Sequence, residues 1–280
     1  MFILSAFADE ISPDPAEQIA VLKSANVRHI EFRSIHKTNC LKLSEDQLQE
    51  FQARLDDEGM KLSAIGSPIG KYPIDQPFGP HFDLFKRAVD LADRFRTPHI
   101  RIFSYYPPEN GWNGDWSPYR EEILNRMRAK AEYAEANGVR LFHENEHKIY
   151  GDSPDRVLDL FENVKSPALR AAYDAANFVF CGYCPTEGWN KTKHFTSHLH
   201  IKDWKAGGEE HTGRIAGTGD GKIPNSTWDA VQMGYQGFAV LEPHLRGGGP
   251  TGGVTGSDLF PLAVEAFRNI LRVCGGVEKY

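Results

Sequence analysis

Cysteine is scarce. Four residues in 280 are too few for a disulfide scaffold, and such sparing use fits a reducing, cytoplasmic setting. Long apolar runs are also missing, since none approaches the roughly 18 residues that a membrane-spanning helix needs. The apolar opening Met1–Phe7 stops at Asp9 and Glu10 without a basic start, so it reads as a strand and not as a signal peptide. Positive charge is not in excess. Lys and Arg number 32 against 38 Asp and Glu, and the net charge of −6 opposes nucleic acid or anionic lipid as a partner. No linker, charge block or low-complexity stretch divides the chain, so residues 1–280 are expected to form one domain. A 40% apolar share rules out a disordered chain.

What the chain does contain is a regular alternation. Short apolar runs occur at Phe2–Ala6, Arg28–Phe32, Lys61–Ile65, His99–Phe103, Val139–His143, Leu169–Tyr173, Thr196–Ile201 and Phe238–Leu241. Amphipathic stretches with helix-start signals lie between them. Asp14-Pro15 opens one, Ser44 to Gln47 forms a capping box with Gly59 as its terminator, and Ser153-Pro154 opens another. Asn137-Gly138 closes a long helix, while Ser226 and Ser257 are expected to start two more. Eight strand–helix units without a break need parallel strands, because each return requires a crossover. The expected class is α/β, a single (β/α)8 TIM barrel. An open doubly wound sheet is the rival, but the first turn, Phe7-Ala-Asp-Glu10, lacks the glycine fingerprint of such folds.

A barrel of this kind carries its chemistry at the carboxyl ends of its strands. Four successive strand ends present Glu144, Asp174, His200 and Glu242. Period-two alternation puts Leu199 and Ile201 on one face of the seventh strand and His198, His200 and Lys202 on the other, which sends His200 towards the axis. Any one of these residues alone reads as a solvated loop charge, a helix cap or an inner-barrel histidine. Together, three carboxylates and an imidazole converging on one axis call for a cation, Mn²⁺ first, with Mg²⁺, Co²⁺, Zn²⁺ and Fe²⁺ also suited to the donors. Arg33, Lys71, His147, Asn177 and His244 are candidate substrate contacts, although Arg33 is equally placed to pair with Glu10 or Glu31. Trp112 and Trp116 either stack on a substrate ring or pack beneath a loop.

Along its whole length the chain resembles the xylose-isomerase-like barrel superfamily of sugar isomerases and epimerases. The resemblance rests on His-Glu144-Asn-Glu, Tyr-Asp174-Ala-Ala-Asn, His-Leu-His200-Ile-Lys-Asp and Leu-Glu242-Pro-His. Phe7-Ala-Asp-Glu10-Ile, Ile30-Glu-Phe-Arg33, Ser67-Pro-Ile-Gly-Lys71 and the segment His143 to Asp152 are similar to a sugar phosphate isomerase/epimerase branch. Relatives of that branch include keto-glycoside epimerases and C-glycoside deglycosidase subunits. The resemblance implies metal ligation by Glu144, Asp174, His200 and Glu242. One position departs from the pattern. Asn177 stands where several epimerases carry a His, and Asn hydrogen-bonds a hydroxyl without sharing a proton in the same way.

The expected activity is a divalent-metal-dependent sugar isomerase or epimerase that forms an enediolate on a keto-sugar or 3-keto-glycoside. Glu144 and Glu242 are the expected catalytic pair, one removing and the other returning the proton. The same enediolate can expel a β-substituent, so a lyase or deglycosidase is the alternative. An AP-endonuclease-like phosphoesterase needs more histidines and a basic surface. Cys181-Gly-Tyr-Cys184 has redox-dithiol spacing but the wrong setting for a thioredoxin unit, and Gly217 to Lys222 lacks the Ser or Thr of a phosphate loop. A non-catalytic sugar-binding protein is the remaining reading. A small-molecule sugar is the expected partner, with no nucleic acid and no membrane, and a homo-oligomer is compatible with the composition.

Overall fold

The computed structural model describes residues 1–207, 213–249 and 252–280. Parallel strands close into an eight-membered ring: β1 (Phe2–Ala6), β2 (His29–Phe32), β3 (Lys61–Gly66), β4 (His99–Ile102), β5 (Arg140–Glu144), β6 (Leu169–Asp174), β7 (Thr196–Ile201) and β8 (Gly237–Leu241). Closure is made by β8 lying beside β1, with Phe2 opposite Gly237 and Ala6 opposite Leu241. That closed ring excludes the open sheet. Helices fill the crossovers: α1 (Pro15–Ser24), α2 (Glu45–Glu58), α3 (Phe78–Arg94), α4 (Arg120–Ala136), α5 (Pro154–Val164), α6 (Ala175–Phe180), α7 (Pro185–Thr192), α8 (Ile223–Gln232) and α9 (Phe260–Val273). Two short helices, α6 and α7, follow β6 where one was expected. Among the described residues no helix is long and apolar enough to cross a membrane.

Local chemistry accounts for most of the helix ends. Asp14 accepts from Ala16 N at 2.9 Å, and the Ser44 capping box is complete, with Gln47 N donating to Ser44 Oγ and Ser44 N donating to Gln47 Oε1. Gly59 ends α2 at φ +63, a left-handed turn that glycine adopts without strain. Two expected starts are corrected. Helix α8 begins at Ile223, not Ser226, and α9 at Phe260, not Ser257. Pro224 and Pro261 occupy the first turns instead, where the missing N–H costs nothing. Of the glycine-rich stretches after β7 and β8, the second folds back on itself as a short antiparallel pair, Gly248 opposite Gly253, and 208–212 and 250–251 lie outside the described residues.

The barrel interior is layered. Towards the amino ends of the strands it holds rings: His29 against Phe238 at 5.2 Å, His99 against Phe142 at 4.8 Å, and Phe142 stacked on His198 at 4.5 Å. Ser5 and Ser63 share a hydrogen bond of 2.7 Å across the same interior. Burial holds His29 and His99 down to about 4, so both rings are neutral at pH 7. Above them, towards the carboxyl ends, the interior turns from aromatic to charged.

Candidate active site

The strand ends bring Glu144, Asp174, His200 and Glu242 together. One donor atom from each lies within 4.8 Å of the others, and all four residues are buried. Alternation explains the aim. His200 points inward as its strand pattern requires, and its Nδ1 lies 3.2 Å from Glu144 Oε1 and 3.6 Å from Glu242 Oε2. On its other side, Nε2 faces Glu31 Oε2 at 3.5 Å, and that oxygen also meets His198 Nε2 at 2.6 Å. Neither His200 nitrogen has a well-aligned hydrogen-bond partner, nor does Asp174 Oδ2. Three carboxylate oxygens and one imidazole nitrogen, buried and incompletely satisfied, form a donor set that fits a hard or borderline divalent ion.

Each carboxylate has its own support. Arg101 donates to Glu144 Oε2 at 3.0 Å, and Arg33 donates to Glu242 Oε1 at 2.8 Å. The two guanidinium groups sit over the Phe7 ring at 4.9 and 4.3 Å. Asp174 spends Oδ1 on the N–H of Asn177, capping α6, while Oδ2 lies 2.8 Å from Lys202 Nζ. It therefore both caps a helix and faces the cluster. Asn145 pairs with the Asp174 backbone in both directions, and Asn177 Nδ2 donates to Glu144 Oε1 at 3.1 Å. These amides lock the ends of β5 and β6 together.

The electrostatics follow from burial set against neighbours. Burial raises the Glu144 carboxyl, but His200 and Arg101 more than offset it and hold it at about 2. Burial likewise opposes ionisation of Glu242, yet Lys202, His244 and Arg33 keep it well below the usual carboxylate range. Asp174 goes the other way. Burial, with Glu144 and Glu242 nearby, outweighs Lys202 and lifts it to about 6. Burial would lower His200, but Glu144 and Glu31 raise it to about 10.

A cavity of about 400 Å³ opens over this cluster. Of the candidate substrate contacts, Arg33, Lys71, Asn177 and His244 line it. His147 does not; its ring packs against Phe180 at 4.9 Å, and it is Phe180 that reaches the wall. Lys71 is paired with Glu146 at 2.9 Å, and His244 Nδ1 lies 3.0 Å from Glu10. Trp112 and Trp116 pack on each other, Trp112 also on Tyr119 and Trp116 on Tyr150, and neither lines the cavity, which fits loop packing. Arg101 was not singled out by sequence and Lys202 was placed on the inward face without a role, although both follow from period-two alternation with His99 and His200. Phe180 and Trp204 meet edge to face at 5.4 Å on the rim.

The loop after β7 has a purpose that its glycines disguised. Asp203 is buried and accepts from the backbone N–H groups of Trp204, Gly217, Gly219 and Gly221 at 2.8 to 2.9 Å. A Cβ at Gly219 would lie 2.3 Å from Asp203 Oδ1. The segment cradles a carboxylate of its own chain rather than a phosphate. Cys181 and Cys184 sit between α6 and α7, and burial pushes the Cys181 thiol up to about 12, away from the thiolate a redox dithiol uses.

A parallel eight-stranded barrel with a carboxylate–imidazole cluster at the carboxyl ends of its strands defines the class of the protein. The family model of the xylose isomerase-like TIM barrel matches residues 19–268, and the chain belongs to that family. None of the curated proteins matches the sequence. Among solved structures, a xylose isomerase-like TIM barrel protein from Mycobacterium smegmatis in complex with magnesium is 19% identical, with a TM-score of 0.73 over 98% of this chain and 96% of that one. The 3-keto-D-glucoside 4-epimerase YcjR from E. coli is 12% identical, with a TM-score of 0.71 over 98% of this chain and 100% of that one. The probable 3-DHS dehydratase AsbF from Bacillus anthracis is 16% identical, with a TM-score of 0.72 over 96% and 99%. At these identities the likeness is one of fold.

Proposed function

We propose that the protein, acting as one barrel domain over residues 1–280, is a divalent-metal-dependent sugar isomerase or epimerase. Its substrate is a keto-sugar or a 3-keto-glycoside. The observation that carries this reading is the convergence of Glu144, Asp174, His200 and Glu242 from four neighbouring strands. These residues would hold the ion, Mn²⁺ or Mg²⁺ by donor hardness, with Co²⁺, Zn²⁺ and Fe²⁺ as alternatives. Such an ion polarises a carbonyl and its neighbouring hydroxyl, lowering the cost of removing the adjacent C–H proton.

The chain's own groups supply the rest. With Arg101 on Oε2 of Glu144 and Arg33 on Oε1 of Glu242, the opposite oxygen of each glutamate is left facing the cluster. One glutamate takes the proton and the other returns it from the far side of the carbon, which inverts the centre. Asn177, Arg33, Lys71 and His244 offer donors to substrate hydroxyls from the cavity wall, and His147 acts at one remove by bracing Phe180. The apolar rim of Phe180 and Trp204 supports a substrate with an aglycone, and with it the second reading, in which the enolised sugar expels a β-substituent as a lyase.

Solvent-deuterium incorporation into a panel of keto-sugars and 3-keto-glycosides tests the proposal. Exchange next to the carbonyl should need added Mn²⁺ and disappear on chelation. It should fall by about 10²-fold or more in Glu144→Gln and Glu242→Gln. A protein that binds the metal tightly yet exchanges no panel member would sink it.

A further inference from the structure

Lys202 lies where no lysine is needed for packing. It is 7% exposed and directly follows β7, two residues beyond His200. Its Nζ is 2.8 Å from Asp174 Oδ2 and 3.4 Å from Glu242 Oε2. Those are two of the four residues in the cluster, and Lys202 is the one lysine or arginine paired with Asp174 among the described residues. The arginines act elsewhere, on Glu144 Oε2 and Glu242 Oε1. Without a cation, Asp174 and Glu242 would face each other as buried like charges, an arrangement that destabilises a fold.

We infer that Lys202 is the internal counter-ion of the metal-free site, so that loading the site exchanges the Lys202 ammonium for the divalent ion. The inference rests on the metal reading of the cluster given above. An ion held by Asp174 and Glu242 would stand against the Lys202 ammonium and repel it, so both could not keep these partners. The lysine stem has four rotatable carbons, and Lys202 already lines the cavity beside Glu146, which gives the displaced ammonium room and an acidic neighbour. The exchange lets the barrel fold before any metal arrives, and it sets the affinity for metal by competition. Lys202 is thus a positioning residue for the ion.

Mn²⁺ affinity by calorimetry and thermal unfolding of chelator-stripped protein test this together, in wild type, Lys202→Met and Lys202→Arg. Lys202→Met should bind Mn²⁺ about tenfold tighter or more, and its stripped form should melt about 5–8 °C lower. Lys202→Arg, which keeps the charge, should bind no tighter than wild type. Unchanged or weaker Mn²⁺ binding by Lys202→Met, or tighter binding by Lys202→Arg, would overturn the exchange. If none of the three proteins binds Mn²⁺, the metal reading fails on its own. The stripped Lys202→Met protein then still decides the counter-ion role, which a lower melting temperature supports and an unchanged one rejects.

Discussion

Lys130 is a lysine of a different kind. It lies on α4, fully buried, with its ammonium 4.5 Å from the Tyr105 ring and no hydrogen-bond partner for Nζ. Burial first, and then the charge of Arg126, lower it to about 7 from an unfolded value near 10.5. A base depressed in the folded state contributes its full stability above the unfolded pKa and loses it as pH falls towards the folded one. Between pH 9 and pH 7 the native protein should therefore lose about 1.4 kcal/mol per unit through this residue. Lys130→Met removes the group. The variant should be more stable than wild type at pH 7, and its advantage should shrink by about 1.4 kcal/mol per unit up to pH 9, measured by denaturant unfolding. A constant difference across that range would show that Lys130 stays charged. No sequence pattern marks this residue, because a lysine on a helix reads as solvated unless the helix face it occupies is known.

At the scale of elements, the strands were legible because their apolar runs are short, regular and separated by capped helices. Glu144 and Asp174 close β5 and β6, one residue beyond where the apolar runs stop, at the strand ends where the sequence places them. The helix starts were misplaced at Ser226 and Ser257 because serine competes with proline as a start signal, and the prolines at 224 and 261 prevailed. The four cluster residues were legible from strand-end position and alternation. Their supports were not, since Arg101 and Asn145 act from the strand next door and Glu31 reaches His200 across the barrel interior, contacts that no spacing within one strand reveals. The loop after β7 shows the same limit, because its glycines make sense only beside Asp203. Asp203→Ala would leave four backbone donors without their carboxylate, and it should cost about 2–4 kcal/mol in denaturant unfolding. With a substrate in hand, KM should rise more than kcat falls, because Trp204 is on the cavity wall and away from the cluster. Wild-type stability in that variant would mean that the loop holds itself.

At the scale of the whole molecule, the cluster draws one residue each from β5, β6 and β7 and one from just past the end of β8, half of the ring. No two of these residues are near in sequence, so the unfolded chain offers no preformed site, and an ion that binds only the folded protein stabilises the barrel as a unit. At 100 times its dissociation constant such an ion adds about 2.7 kcal/mol. For a chain of this length, that corresponds to a rise in Tm of roughly 4–5 °C. The rise should appear with Mn²⁺ in calorimetric melting of the stripped protein, as one transition moved upward. Asp174→Asn should abolish the shift while keeping the N-cap on α6, because Asn also accepts the Asn177 N–H. A wild-type Tm indifferent to Mn²⁺ would place the ion outside the folded barrel. A split transition would show instead that β5 to β8 unfold apart from the rest, which the register of β8 with β1 argues against.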